Sequence, residues 1–396
     1  MNFVFISPNF PEIYSHFVRH LKENGVNVLG IGDQPYQSLN NELKENLTEY
    51  CYVQDMNNID WMIKTVQYLK DKYGNIDFIE SNNEYWMHND ARLREWFGIE
   101  NGYRVKDLDE YQAKSKMKKY FNEAGLKTAR YTMVSTLENS LNFVKTVGYP
   151  VFAKPDSGVG AAGTFKISNE EELRNFHNVK LNEQYIMEEF LDGSIVTFDG
   201  IANKESEIVI CFKETFPTPI ADVVSKNLDM FYFAKSKMDD FYRKMGEKII
   251  KAFHISQRCF HIELFQLNSD KEGFGKKGEV VALEANLRSP GGETPELLNL
   301  VSKVDYYKAY ADMITNNISA INNETNLISF SINRKNGKNY AYSSEQIMEM
   351  YKDNIKRHGY YPESFRDALG DEFFLFLFED NKEIIDEFLK NIQKIY

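Results

Sequence analysis

A chain of 396 residues is too long for one small core, and 42% hydrophobic with 27% charged residues is ordinary for a globular protein of two or three packed lobes. The formal net charge of −12 argues against a phosphate backbone as the main partner, because that binding runs on surplus Lys and Arg. Cys51, Cys211 and Cys259 follow no CxxC spacing, which excludes a disulfide framework and a cysteine zinc site. The start has no basic n-region and no stretch approaches the ~20 apolar residues of a membrane span, so a cytoplasmic protein is expected.

Residues 2–7 read as a buried strand, followed by Pro8 and Pro11 and a helix that Gly25 stops after Asn24. Val26–Ile31, a helix over 58–72 and a strand over 76–80 continue the alternation, which predicts a parallel sheet. Ser7, Asp33, Asn83 and Glu84 then fall at strand ends, where they line a cleft or serve as turn and cap residues. A helix is predicted from 107–109, with Gly125 past its end, and then a strand over Thr128–Val134. Capping boxes at Ser135-x-x-Glu138 and Ser168-x-x-Glu171 open two further helices. Strands dominate from 151 to 290, with a helix at about 238–253. The tail reads as a strand at 327–332, a helix at 343–356, a strand at 373–378 and a helix at 382–394.

The segment Gly158-Val159-Gly160-Ala161-Ala162-Gly163 spells GxGxxG, a weak signal alone. A dinucleotide fold needs this loop to open a helix, yet Thr164–Ser168 reads as a strand. A kinase places its lysine after the loop and needs HRD and DFG, and a P-loop needs a terminal Gly-Lys-Ser/Thr; none is present. What remains is a strand ending in Lys154-Pro155, a small-residue loop and a second strand. Backbone N–H groups of such a loop approach phosphate oxygens closely, and Lys154 adds a point charge. A plain hairpin beside a solvated lysine is the alternative.

Two later strands carry acids. His261 and Glu263 share a face of 260–265, while Glu284 and Asn286 share a face of 281–286, with Arg288 continuing it. Oxygen donors from two strands suit Mg²⁺, and Arg288 suits a phosphoryl group or a carboxylate. An exposed polar face, with His261 as a packing residue, would read the same way locally.

From about 109 to 300 these features, in this order, resemble the ATP-grasp superfamily, most closely its carboxylate–amine ligases, including amino-acid ligases. The resemblance implies an α/β and α+β chain of four parts: an N-terminal parallel-sheet domain (1–108), a small lobe with the glycine loop (109–192), a large lobe with a metal site (193–322) and a C-terminal α+β extension packed on the large lobe (323–396). It implies that Lys114, Lys154 and the loop Asp156, Ser157, Gly158, Gly160, Ala161 and Gly163 hold the ATP phosphates. It places the adenine at a hinge of Glu188, Glu189 and Leu191, the metal on Glu263, Glu284 and Asn286, and Arg288 and Lys154 in catalysis. Many relatives carry a ribose-binding glutamate two residues past the hinge glycine. Here Gly193-Ser194 leads to Ile195, which passes the ribose to Glu189 or Asp192. Lys116, Lys118 and Lys119 are expected on a solvated helix face.

The implied reaction is ATP-dependent amide formation through an acyl phosphate, with Mg²⁺ or Mn²⁺ as cofactor and small-molecule carboxylate and amine substrates. Neither nucleic acid nor membrane is an expected partner, and a homodimer is left open. A non-amine acceptor, or a spent ATP-binding scaffold with a regulatory role, would use the same features.

Overall fold

The computed structural model describes residues 1–158, 163–218, 222–223, 226–363, 366 and 369–392. The first layer alternates β1 (Asn2–Ile6), α1 (Ser15–Glu23), β2 (Asn27–Gly32), α2 (Asn41–Asn46), β3 (Glu49–Tyr52), α3 (Ile59–Tyr73), β4 (Phe78–Glu80) and α4 (Met87–Phe97). Their strands form a parallel sheet in the order β3-β2-β1-β4. The direction of winding reverses between β1 and β4, where such sheets open a crevice beyond the strand ends. Ser7 and Asn82, just past these two strands, both turn the chain at φ 53°. Gly25 ends α1 at φ 78°, a left-handed stop that costs a residue without Cβ nothing.

The second layer holds α5 (Val105–Tyr111), α6 (Lys114–Glu123), β5 (Tyr131–Met133), α7 (Leu137–Val147), β6 (Val151–Pro155), β7 (Phe165–Ile167), α8 (Glu170–Asn178) and β8 (Tyr185–Glu189). Its antiparallel sheet runs β5-β8-β6-β7, and Val144 of α7 and Leu173 and Phe176 of α8 cover it.

The rest of the chain builds one large sheet. Its elements are β9 (Gly193–Ala202), β10 (Ile208–Phe216), β11 (Phe231–Lys235), α9 (Asp240–Ala252), β12 (Arg258–Leu267), β13 (Val280–Asn286), α10 (Thr294–Leu300), α11 (Tyr306–Asn316), β14 (Leu327–Arg334), α12 (Ser344–Met350), β15 (Ile355–Tyr360), β16 (Glu372–Glu379) and α13 (Lys382–Ile392). The order is β13-β12-β9-β10-β11-β14-β16-β15. On one face Phe198 and Phe260 stack at 5.5 Å and pack under α9 and α6. Gly246 permits that approach, since a Cβ there would stand 2.1 Å from the Phe198 ring. On the other face Phe212 meets Tyr306 and Tyr310 of α11, and Phe17 of α1 closes against the same tyrosines. Phe17 and Tyr310 are fully buried, each such side chain contributing ~1.5–3 kcal/mol, so this cluster fastens the parallel layer to the large sheet.

Several local expectations shift. The side-chain caps of α7 and α8 are Thr136 and Asn169, each one residue after the serine expected, and they accept from Asn139 and Glu172 N–H. The helix expected from 107–109 is broken into α5 and α6, so that Lys114 opens a new helix. The helix expected over 343–356 stops at Met350, and Ile355–Tyr360 is a strand. That strand pairs with β16, whose Phe373, Phe374 and Phe376 supply a surface that outweighs local helix preference. Through the β11–β14 pairing the tail strands extend the large sheet itself.

Candidate active site

The acids of the large sheet form a row. Antiparallel register sets Glu284 opposite Glu263 and Glu263 opposite Thr197, with Asn286 opposite His261 and His261 opposite Asp199. Directly opposed side chains share a sheet face, so the two acid-bearing strands present one continuous polar surface. Asn286 donates to Glu263 Oε1 at 3.3 Å, and His261 Nε2 lies 3.4 Å from the same oxygen. Burial works against charge on Glu263, but His261, Arg288 and Lys154 hold its carboxyl below the usual range. Glu284 is pushed up, by burial first and by Glu263, with Lys114 opposing. Two neighbouring carboxylates and an amide oxygen are the donor chemistry of a hard divalent cation, and Glu263, Glu284 and Asn286 fit it.

Lys114 sits at the first turn of α6 and is buried. Its Nζ lies 3.2 Å from Glu284 Oε1 and donates to the Gly158 carbonyl at 3.0 Å. The start of the glycine loop is therefore tied to the metal-type face. Asp156 makes a different contribution from the one expected. Its carboxylate accepts from Ser115 N and Oγ, both at 2.7 Å, so it anchors the N-terminus of α6. Ser157 and Gly158 are exposed, and Gly163 turns at φ 74°. Gly160 and Ala161 lie outside the described residues.

Lys154 of β6 reaches Glu188 Oε2 at 2.7 Å, and Lys118 reaches Glu188 Oε1 at 2.5 Å. Lys118 thus leaves the solvated face expected of it and is 5% exposed, while Lys116 and Lys119 remain outside. One helical turn separates it from Lys114, a spacing that puts both on one side of α6. Burial disfavours charge on Glu188, yet Lys154 and Lys118 bring it down to about 2. Burial also pulls at Lys154, but Glu188, Glu284 and Glu263 hold it above the ordinary lysine value. The Glu188 side chain is accordingly engaged by two ammonium groups.

Glu189, offered as a ribose contact, pairs with Arg130 here. Its carboxylate accepts Arg130 N at 2.8 Å, Arg130 Nε at 3.0 Å and Arg130 Nη2 at 2.6 Å, and it is buried. It bolts β8 to the approach of β5. Asp192 is exposed, accepts Ser269 Oγ at 3.2 Å and lines a cleft of 290 Å³ with Phe190, Leu267 and Lys271. Leu191 is buried with Ala129, Leu267 and Val281, an apolar patch beside the hinge.

Arg288 follows β13 and points to the parallel layer. Its Nε and Nη2 donate to Glu84 Oε2 at 3.2 and 3.0 Å. Of the four cleft candidates in the first layer, Glu84 alone makes this connection. Asn83 accepts from Tyr85 N as a turn residue, and Asp33 is exposed. Sequence reading also passed over Asp199 and Glu214, fully buried on β9 and β10. His261 Nδ1 donates to Asp199 Oδ1 at 2.5 Å, and burial, which lowers it, is outweighed by Asp199 and Glu263, so the ring is raised to about 10. The alternation Thr197-x-Asp199 on one strand face was the signal available.

The family model described as carbamoyl-phosphate synthase L chain, ATP binding domain, matches residues 112–214, a segment holding Lys114, Lys118, Lys154 and the hinge. A D-alanine--D-alanine ligase of Flavobacterium johnsoniae is 32% identical over 147 residues, covering 33% of this chain and 43% of the relative. D-alanine--D-alanine ligase B of Clostridium perfringens is 31% identical over 87 residues, 21% of this chain and 29% of that protein. The chain thus spans less than half the length of these curated relatives. Along its whole length it superposes on the L-amino acid ligase of Bacillus licheniformis with a TM-score of 0.71 at 14% identity, covering 100% of this chain and 98% of the other. An N5-carboxyaminoimidazole synthetase of Staphylococcus aureus complexed with ADP gives 0.69 at 14%, covering 99% and 96%. Superposition and matched segment together define the fold, which is that of the ATP-grasp proteins. Among the described residues no helix is long and apolar enough to cross a membrane.

Proposed function

We propose that this chain is an ATP-dependent ligase that joins a small-molecule carboxylate to an amine through an acyl phosphate, releasing ADP and phosphate. The observation that carries this reading is the convergence of Lys114, Lys154, Glu263, Glu284, Asn286 and Arg288 where all three sheets meet. Mg²⁺ or Mn²⁺ on Glu263, Glu284 and Asn286 would neutralise phosphate charge and hold the nucleotide in line. Lys114, released from Glu284 by that charge, and Lys154 would meet phosphate oxygens.

The acyl transfer follows from the same groups. A carboxylate oxygen attacks the γ-phosphorus and the bond to ADP breaks. The amine then attacks the acyl carbon, the C–O bond to phosphate breaks, and the amine proton leaves. Arg288, held in place by Glu84, would stabilise the negative charge that builds on the acyl oxygen. Substrates would enter between the parallel layer and the large sheet, with residues 1–108 as the acceptor-side domain, 109–192 and 193–322 as the two nucleotide lobes and 323–396 as the extension. The test is an ATP-dependent phosphate-release screen over pairs of amino acids and amines. Release that needs both partners supports the reading. Release with a carboxylate and a thiol but no amine would reassign the acceptor, and no ATP-induced stabilisation or turnover would reject the reading.

A further inference from the structure

At the centre of the large sheet the supply of positive charge runs short. Glu214 of β10 is 0% exposed, and neither of its carboxylate oxygens has a hydrogen-bond partner. The nearby Thr197 hydroxyl donates to Asp199 instead. Asp199 is likewise fully buried, and one ligand atom from each of Asp199, Glu214 and His261 lies within 4.8 Å of the others. With Glu263 beside them, three carboxylates share one imidazole. The neighbouring cations pair with other acids, Lys114 with Glu284, Lys154 with Glu188 and Arg288 with Glu84, and of the three carboxylates Lys154 and Arg288 bear on Glu263. A buried carboxylate without a partner costs several kcal/mol, so a structure that keeps one calls for a counterion.

We propose that Asp199, Glu214 and His261 hold a divalent transition-metal ion, of the zinc or manganese kind, at a site separate from Glu263, Glu284 and Asn286. An imidazole nitrogen among carboxylates selects such ions over Mg²⁺ or Ca²⁺, which prefer all-oxygen sets. His261, Asp199 and Glu214 each offer one donor atom to this point from three adjacent strands. Binding requires neutral imidazole, so His261 gives up one proton to solvent as the ion enters. With Nδ1 on the ion, the remaining ring proton sits on Nε2 and is directed at Glu263 Oε1, 3.4 Å away. The ion would thereby orient a carboxylate of the neighbouring nucleotide-metal set.

The experiment is metal analysis of the untagged full-length protein, purified without chelator, as wild type, Glu214→Gln, Asp199→Asn and Glu284→Gln. The expected result is about one equivalent of zinc or manganese in wild type and Glu284→Gln, with ~10-fold or greater loss in the other two. Should the substituted proteins fold poorly, wild type treated with a strong chelator should melt at least about 2 °C lower and recover on adding Zn²⁺ or Mn²⁺ but not Mg²⁺. Below about 0.1 equivalent of either metal in wild type, with melting unchanged by the chelator, overturns the proposal and leaves Glu214 neutralised by a proton. Metal content is read without ATP, so this outcome is independent of whether the ligase reading stands.

Discussion

The hinge and the centre of the large sheet both bury ionisable carboxylates and treat them in opposite ways. At the hinge one carboxylate, Glu188, lies between two ammonium groups, Lys118 and Lys154, and stays charged far into acid. At the sheet centre Glu214 faces Asp199 and Glu263 with one imidazole among them, and burial with those charges raises it well above the carboxylate range. The first arrangement holds spare positive charge where an anion would arrive, while the second holds spare negative charge where a cation would. Glu263 and Glu284 lie between the two, where the proposed metal-bound nucleotide would meet both signs.

Breaking the middle of this gradient should have the largest effect. Glu284→Gln removes a proposed metal ligand and the partner of Lys114, and is expected to cut ATP-dependent phosphate release by about 100-fold or more. Measured turnover within a few-fold of wild type would remove Glu284 from the metal set.

Breaking the hinge should show as stability. Glu188→Gln takes from buried Lys118 and from Lys154 the carboxylate they share, and a loss of roughly 3–5 kcal/mol is expected from denaturant unfolding. The double variant Glu188→Gln with Lys118→Met should recover part of that loss, a coupling that a generic packing defect would not produce.

Acid sharpens the comparison. Glu188 drops from 4.5 in the unfolded chain to about 2 in the folded one, so its stabilising contribution is fully present above pH 4.5 and is lost as pH falls toward 2. That contribution is on the order of 3 kcal/mol. Wild type should therefore lose stability relative to Glu188→Gln between these pH values, and parallel pH curves would show that the lysines do not hold the carboxylate.

The smallest effect separates two lysines of one helix. Lys116→Ala, at an exposed site, should change stability by no more than about 0.5 kcal/mol. Lys118→Ala, which unpairs half of Glu188, should exceed that clearly in the same melt and also raise the apparent KM for ATP.

How much of this was legible depended on how local the cause was. Glu263, Glu284 and Asn286 came from strand alternation, which is written within a few residues, and Lys154 came from the strand-loop-strand setting of its glycines. Lys118 was misplaced because its partner, Glu188, is brought in by β8 from a distant part of the chain, and a run of lysines looks solvated until that partner is known. Asp156 and Glu189 have the right chemistry for ligand contacts, and their contacts with Ser115 and Arg130, made across elements, were not readable locally. Strand Ile355–Tyr360 was unreadable for a related reason, since its pairing surface is the phenylalanine run of β16.

The acyl phosphate is the central claim, and isotope transfer tests it most directly. With a carboxylate and amine pair that supports turnover, the carboxylate oxygens are labelled with ¹⁸O and the released phosphate is weighed by mass spectrometry. The account predicts that each phosphate carries one labelled oxygen from the substrate, and that Glu284→Gln releases none above background. Unlabelled phosphate formed at the wild-type rate would contradict it.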